Sequence, residues 1–359
     1  MFKLLAVVSL IALPALGTEY VITGPDLAGH ANVSPGTDGK VRIKVGLATF
    51  GASRRQLGYE GTGTTAAAGQ IGFVWEAGRA VTLKPDGKGG YTTTLEGRAQ
   101  VWTALPRPAA GYAVLAVPGL STNVWNHVGI PYLDENVQAL QAMGFQARRL
   151  AIRTEEGIDK NAAFIATEIR NEVQRGMSVI LFAHSKGATD ALAALAIDPA
   201  LAALVAGVVA VQPVFGGSPV AQVIEKHRLL DKAVKAVFEG VFKGQVAAVN
   251  DLSFADRAAF NKLHPYPATS VPTVVVRSTF HRQVSKSVLF ANERLITLET
   301  HQPNDGMVDL KGQSVAGAAQ TITLDDLDHF ESGLRNESKH SPVEVTSRGL
   351  LALLPAMQK

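Results

Sequence analysis

Residues 179–188 read V-I-L-F-A-H-S-K-G-A, an apolar run that stops at Ser185 and is followed at once by a helix-like segment. A serine between a buried strand and a helix sits in a tight, strained turn, so the residues two before and two after it must be small. Ala183 and Gly187 meet this requirement. Such a turn lifts the hydroxyl above a sheet and aims helix N–H groups at any anion that forms there. The stretch predicts a nucleophilic serine, and the alternative is a serine that only caps a helix.

The sequence on either side of this turn alternates between strand and helix patterns. This alternation is typical of a parallel sheet with helices on both faces. The predicted strands are 112–117, 147–152, 178–183, 205–211, 273–278 and 321–324, and the predicted helices are 133–143, 161–175, 186–196 and one that ends near Leu354.

Residues 218–263 break the alternation with two amphipathic helical segments, at 221–239 and 254–262. We predict a helical cap at about 216–265, inserted over an active site. Its apolar positions either contact acyl chains or a lipid surface, or pack on the core. These positions are Leu229, Leu230, Val234, Val237, Phe238, Val241 and Phe242.

A serine hydroxyl needs a base to take its proton, and the base needs an acid to orient it. His329 follows the strand-like segment T-I-T-L at 321–324, which places it on a loop at the same carboxyl edge of the sheet as Ser185. His329 is therefore the predicted base. His184 is expected to point away from the serine, and the other candidates are expected to be structural or on the surface: His264, His281 and His301.

The predicted acid is Asp305, in the sharp turn N-D-G at 304–306 after a strand-like segment at 295–300. Asp309 is its main competitor. Asn-Asp-Gly is also simply a common turn, so the role of Asp305 depends on the serine and the histidine. Three further carboxylates lie near the histidine and could be solvated loop charges: Asp325, Asp326 and Asp328.

An oxyanion hole needs two backbone N–H donors, one from the residue after the nucleophile and one from the loop after an earlier strand. Lys186 supplies the first. The loop V-P-G-L-S-T at 117–122 supplies the second through Leu120, with Gly119 allowing a close approach of the backbone. Since only the N–H groups take part, the side chains of Leu120 and Lys186 are predicted to be free to vary.

Residues 18–110 form a separate region, rich in Gly and Thr, in which period-two patterns and the turn P-D-G-K-G-G at 85–90 predict strands and hairpins. The glycine-rich stretch 58–69 lacks the Lys-Ser/Thr ending of a phosphate-binding loop, so we interpret it as a flexible loop. The segment 103–111 predicts a boundary, with a second domain at 111–359.

The first 17 residues combine an early lysine, an apolar run and small residues before Thr18, which predicts a signal peptide cleaved near Gly17-Thr18 and export to the periplasm or the medium. The alternative is a buried N-terminal helix or strand. No cysteine is present to form disulfides or to carry a lipid, and no transmembrane segment is predicted in the mature chain. With 34 Lys+Arg against 31 Asp+Glu and no basic run, nucleic acid is not a predicted partner.

The order Ser185, Asp305, His329 resembles that of the α/β-hydrolase superfamily, and the local motifs are similar to those of bacterial secreted lipases. A-H-S-K-G resembles the turn around their nucleophile, N-D-G-M-V their aspartate turn, and D-H-F the segment around their histidine. V-P-G-L-S-T is similar to their oxyanion loop, with Pro118 in place of the usual histidine. The resemblance covers about residues 112–355.

The resemblance implies an α/β-hydrolase fold. The sequence patterns add to this fold the predicted cap insertion and a β-rich N-terminal extension, which the resemblance does not cover. The resemblance also implies an exported serine hydrolase that cleaves carboxylic esters, a lipase or carboxylesterase, with an ester or lipid as substrate and a lipid–water surface as one place of action. The same fold serves other acyl chemistries, so two alternatives stay open: a polyhydroxyalkanoate-type polyester depolymerase, and a non-catalytic binding protein on a hydrolase scaffold. Many lipases of this group hold calcium, but no ligand set is evident here, and neither a metal nor a cofactor is predicted.

Overall fold

The computed structural model describes residues 17–36, 40–52, 54–66, 69–75, 79–95, 97–120, 122, 129–226, 247–280, 289–335 and 338–358. The predicted signal peptide lies, apart from Gly17, outside the described residues. The chain divides into two compact units, with the change at Pro108–Ala109.

The first unit is a closed β-barrel of eight strands, in which each strand pairs antiparallel with the next and β1 pairs with β8. Alternate residues of each strand face the interior, as in β3, where Val41, Ile43 and Val45 are buried between exposed neighbours. The strands are β1 Thr18–Gly24, β2 Leu27–Pro35, β3 Lys40–Thr49, β4 Arg55–Thr65, β5 Ile71–Trp75, β6 Ala80–Pro85, β7 Tyr91–Leu95 and β8 Arg98–Ala104.

The prediction of a flexible loop at 58–69 is wrong, because β4 runs through most of it. A side chain at Gly63 would come within 2.8 Å of both the Gly72 carbonyl oxygen and the Phe73 Cβ. Glycine in this strand therefore allows β4 and β5 to approach closely, whereas the sequence pattern alone is equally typical of a loop.

The second unit is built on a six-stranded sheet with the order β10-β9-β11-β12-β13-β14, and every neighbouring pair is parallel. The strands are β9 Tyr112–Val117, β10 Gln146–Arg149, β11 Ser178–His184, β12 Val205–Val211, β13 Thr273–Ser278 and β14 Gln320–Leu324. The α-helices of the described residues are α1 Asp134–Ala142, α2 Ile158–Gln174, α3 Lys186–Ile197, α4 Pro219–Lys226, α5 Ala247–Asn250, α6 Phe254–Leu263, α7 Phe290–Thr300 and α8 Pro342–Leu353.

Helices cover both faces of this sheet, as the alternation predicted. On one face, Leu181 and Val208 belong to the same core cluster as Ile165 of α2 and Leu192 of α3. On the other face, Gly349 of α8 lies so close to the sheet that a Cβ there would be 2.5 Å from a Val209 methyl group. Strands covered on both faces read as continuous apolar runs, which is why β9, β12 and β13 have the predicted bounds.

Two further predictions meet different outcomes. Residues 295–300 were predicted as a strand, and this is wrong: they are the second half of α7, in which Glu293 and Ile296 are buried at helical spacing while Leu298 is exposed.

The predicted cap region contains α4, α5 and α6. The seven apolar cap positions between 229 and 242, and His281, lie outside the described residues. Within the described ranges, no helix combines the length and the apolar character that crossing a membrane requires.

Candidate active site

Ser185 occupies the turn between β11 and α3 with φ 57° and ψ −130°, a conformation that is strained for a residue with a side chain. Helix α3 can begin directly after the turn because Gly187 has no side chain: a Cβ there would lie 2.3 Å from the Pro118 carbonyl oxygen. Ala183, two residues before the serine, is fully buried. The small residues at both positions therefore allow the close approach inferred from the sequence.

The structure brings Ser185, His329 and Asp305 together in one line. The Oγ of Ser185 lies 2.7 Å from Nε2 of His329, and Nδ1 of His329 lies 2.7 Å from Oδ2 of Asp305. Since a carboxylate only accepts hydrogen bonds, Nδ1 carries the proton and Nε2 is left to accept the serine hydroxyl. Ser185 remains 8% exposed, whereas Asp305 is fully buried.

Asp305 is held by backbone groups of its own turn. Its Oδ1 accepts hydrogen bonds from the N–H groups of Met307 (2.9 Å) and Val308 (2.8 Å), and its carbonyl oxygen accepts from the His329 N–H (2.9 Å). These contacts direct Oδ2 toward the imidazole and tie the two loops to each other.

The competing carboxylates have other partners. Asp309 accepts the Gly312 N–H at 2.6 Å within its own turn. Asp328 accepts the N–H groups of the two residues after His329, and so shapes the loop that carries the histidine. Asp325 is exposed and pairs with Lys339, while Asp326 has a positive φ of 55°. The hydrogen bond to the His329 ring is made by Asp305.

His184 lies beside the serine in sequence, but its ring bonds to a polar network behind His329. Its Nε2 donates to the His329 carbonyl oxygen (2.9 Å) and to Oε1 of Gln212 (3.1 Å), and its Nδ1 accepts from the Tyr132 hydroxyl. Burial lowers the pKa of His184 to about 3, and the neighbouring His329 adds to this shift. His184 is therefore a neutral group that fixes the backbone of His329.

Gln212 and Tyr132 are site residues that the sequence reasoning missed. The side-chain amide of Gln212 donates to the Asp328 carbonyl oxygen (3.0 Å) and its oxygen accepts from Ser332 (2.6 Å), so it links the histidine loop to the end of β12. Its position directly after a predicted strand, at the carboxyl edge, was the available signal. Tyr132 had no comparable signal, since it lies 52 residues from His184.

The loop after β9 comes close to the serine at Gly119, where a Cβ would lie 2.9 Å from the Ser185 Cβ. The Gly119 N–H is already used, because it donates to the Tyr132 hydroxyl at 3.2 Å. Among the described residues, neither the Leu120 nor the Lys186 N–H has an acceptor. Within the described part of the chain, no acceptor therefore competes for either predicted donor.

The prediction that the Lys186 side chain is free to vary is wrong. This side chain is fully buried, and its ammonium group contacts Asp190 at 2.8 and 3.0 Å. Asn161 also donates to Asp190, at 2.8 Å. Burial raises the pKa of Asp190, while Lys186 opposes the shift. The spacing of four residues on one helix was a signal for this pair, but its burial depends on tertiary packing.

No cluster of three or more potential metal ligands occurs in the described part of the chain. The predicted residues that the structure brings together are therefore Ser185, His329 and Asp305. This arrangement can activate a hydroxyl.

Comparisons with known proteins give matches at the level of structure. No protein-family model and no curated protein matches this chain. A metagenomic carboxyl esterase superimposes with a TM-score of 0.57 at 21% identity, over 70% of this chain and 79% of its own. The mature form of a Bacillus licheniformis lipase superimposes with a TM-score of 0.52 at 22% identity, over 70% of this chain and 95% of its own. The predicted fold is therefore confirmed, and the protein has an α/β-hydrolase fold preceded by a closed β-barrel.

Proposed function

We propose that the protein is a serine hydrolase that cleaves carboxylic esters through an acyl-enzyme. The observation that carries the proposal is the continuous hydrogen-bonded line from Ser185 through His329 to Asp305, at 2.7 Å for each step. If Ser185 only capped α3, its hydroxyl oxygen would accept a hydrogen bond from an N–H group of the first helical turn. Ser185 makes no such bond.

In the first half of the reaction, the Oγ of Ser185 attacks the ester carbonyl while Nε2 of His329 takes its proton. The imidazolium that forms is stabilised by Asp305, whose orientation is fixed by two backbone N–H groups. His329 then gives the proton to the leaving alcohol, and the acyl group stays on the serine.

The negative charge on the carbonyl oxygen falls between the N–H groups of Leu120 and Lys186. Each such donor typically contributes about 3 kcal/mol to the transition state. The Lys186–Asp190 contact anchors one donor, and the bond from Gly119 to Tyr132 anchors the loop that carries the other. Water, activated by the same histidine, then releases the acid and restores Ser185.

The substrate class proposed is a lipid or another acyl ester. Two structural relatives are described as a carboxyl esterase and a lipase, and the site needs only an ester carbonyl with a departing alcohol. Export and action at a lipid–water surface are part of the proposal and rest on the sequence of residues 1–17 and of the cap.

A chain-length series of p-nitrophenyl esters, with the Ser185→Ala protein as the blank, tests the proposal. We expect hydrolysis that is lost in the variant, and a sharp rise in rate once a long-chain ester forms an emulsion. If only short soluble esters were hydrolysed, the proposed esterase activity would stand and the proposed action at a lipid–water surface would be rejected. Equal rates for the wild type and Ser185→Ala would reject the hydrolase itself.

A further inference from the structure

One mouth of the β-barrel holds a cavity of about 250 Å³. Three hairpin turns lie there, since Gly24 pairs with Leu27, Thr49 with Arg55, and Leu95 with Arg98. An eight-stranded barrel is wide enough either to be filled by side chains or to hold one small ligand. The position of this cavity, at the mouth of a closed barrel, is one where small-molecule sites are often found.

Aromatic side chains fill another part of the barrel interior. The ring centroids of Tyr20 and Tyr91 are 5.7 Å apart, and those of Tyr20 and Trp102 are 6.3 Å apart. None of these rings lines the cavity. The space at the mouth is therefore a distinct cup and not a general looseness of the core.

Three side chains that line the cup carry N–H donors: Arg55, Arg98 and Gln100. Gln100 is 2% exposed; its Oε1 accepts from the Trp102 indole at 3.2 Å, and its Nε2 finds no partner in the part of the chain that the structure describes. The guanidinium of Arg55 has no partner among the described residues, and that of Arg98 makes one long bond, 3.4 Å, to the Pro25 carbonyl oxygen. Leaving a buried amide donor unpaired is unfavourable, so this site favours a ligand that accepts hydrogen bonds.

The charge of the cup selects an anion. Two arginines face the same space, and none of the described residues that line it is acidic. A guanidinium donates through a planar fork that matches a carboxylate in geometry. With the amide of Gln100 as a third donor, the polar side of the cup is complementary to one carboxylate group.

The rest of the lining combines leucines with the hydroxyl-bearing side chains of Thr49 and Tyr59. Leu27, Leu47 and Leu95 line the cavity and are buried. A water molecule occupies ~30 Å³ in the liquid. The cavity therefore has room for a chain of roughly eight groups of about that size. An inorganic anion would leave the leucine wall uncovered, and a plain alkane would leave the donors unpaired.

We propose that this mouth of the barrel binds a carboxylate with an apolar chain of about six to eight carbons, its head group on Arg55, Arg98 and Gln100 and its chain against the three leucines. Acids released from acyl esters belong to this chemical class. All residues of the site belong to the barrel, and binding there needs no catalysis, so the inference goes beyond the proposed function and stands or falls separately from it.

Calorimetric titration of the full chain carrying Ser185→Ala, which removes any turnover, tests the proposal. The probes are sodium octanoate, 1-octanol with the same chain and no charge, and sodium sulfate with charge and no chain. For a ligand of this size we expect one site with a Kd on the order of 0.1 mM for octanoate, and binding at least about tenfold weaker for the other two. No saturable binding of octanoate, or octanol binding as tightly as octanoate, would overturn the proposal.

Two variants locate the site and a third serves as control. Arg55→Gln and Arg98→Gln should each weaken octanoate binding by about fivefold or more, since each removes one charge-assisted contact. Arg42→Gln makes the same charge change at an exposed position of β3 that does not line the cavity, and binding should be unchanged. Far-UV circular dichroism and the melting temperature confirm that each variant is folded. An equal loss in all three variants would mean general charge attraction and would contradict the site.

Discussion

Replacing Asp305 with asparagine should cost about 10⁴-fold in kcat, because the turn dictates which way the new amide points. In the native turn, Oδ1 of Asp305 accepts two N–H groups, from Met307 and Val308. An asparagine keeps both bonds only with its oxygen in that position. Its NH₂ group then faces Nδ1 of His329, where a hydrogen-bond acceptor is required.

The consequence is the wrong tautomer of the histidine. With a donor opposite it, Nδ1 must accept, so the proton moves to Nε2, the atom that lies 2.7 Å from the serine hydroxyl. A protonated Nε2 cannot take the hydroxyl proton. If the asparagine amide were flipped, or if Nδ1 kept its proton, buried N–H donors would face each other. Each group left unpaired in this way costs about 1–3 kcal/mol.

The assay is the steady-state rate with a short p-nitrophenyl ester, corrected for the fraction of folded protein. Asp309→Asn is the matched control, because it makes the same change four residues away, at a side chain that bonds to the Gly312 N–H and not to the imidazole. We expect the control to stay within about threefold of the wild type. If Asp305→Asn lost less than about tenfold, or if both variants lost equally, the assignment of the acid would be refuted.

Three further outcomes follow from the same contacts. Gly119→Ala should lower kcat by ~10²–10³, because its Cβ would meet Ser185 at 2.9 Å and displace the oxyanion loop; Gly72→Ala, where a Cβ meets nothing within 4 Å, is the control. Lys186→Met should lower the free energy of unfolding by ~3–5 kcal/mol at pH 7 in urea titrations, because Asp190 is left buried without its partner. This loss of unfolding free energy should shrink as the pH falls. Without the ammonium group, the pKa of Asp190 rises further above its value in the unfolded chain, so the folded state binds the proton more tightly and gains stability as Asp190 becomes protonated. A loss independent of pH would contradict this. Tyr132→Phe should cost ~2 kcal/mol of stability, since it leaves a donor and an acceptor unpaired, and a change below about 0.5 kcal/mol would argue against the network.

The parts of the fold that the sequence predicted well are those with strong local patterns. The strands at 112–117, 205–211 and 273–278 have the expected bounds, because a strand buried on both faces is a continuous apolar run between polar segments. The turn at Ser185 was equally readable, since a strand, a serine and a glycine at fixed spacing admit few structures. Local signals thus located the carboxyl edge of the sheet.

The errors arose where local patterns were ambiguous. The β-branched residues of 295–300 suggested a strand, but the helix begins at Phe290 and its buried positions lie three residues apart. The glycines of 58–69 suggested a loop, whereas they allow close strand pairing in the barrel. In both cases tertiary packing overrode the propensity of the segment.

For the site, the sequence could name candidates but could not orient them. Asp305 and Asp309 share one turn, and only the three-dimensional course of that turn directs Asp305 alone to the imidazole. The buried Lys186–Asp190 contact and the network around Gln212 depend on residues far apart in the chain. Such contacts leave little trace in a single sequence.

The measurement that tests the central claim most directly is labelling with a fluorophosphonate, followed by mapping of the modified peptide by mass spectrometry. We predict a single adduct on Ser185, formed rapidly by the wild type and lost or strongly slowed in His329→Ala, since the histidine activates the hydroxyl. A folded wild-type protein that forms no adduct, or one labelled at another serine, would contradict the account and favour a binding role for this hydrolase scaffold.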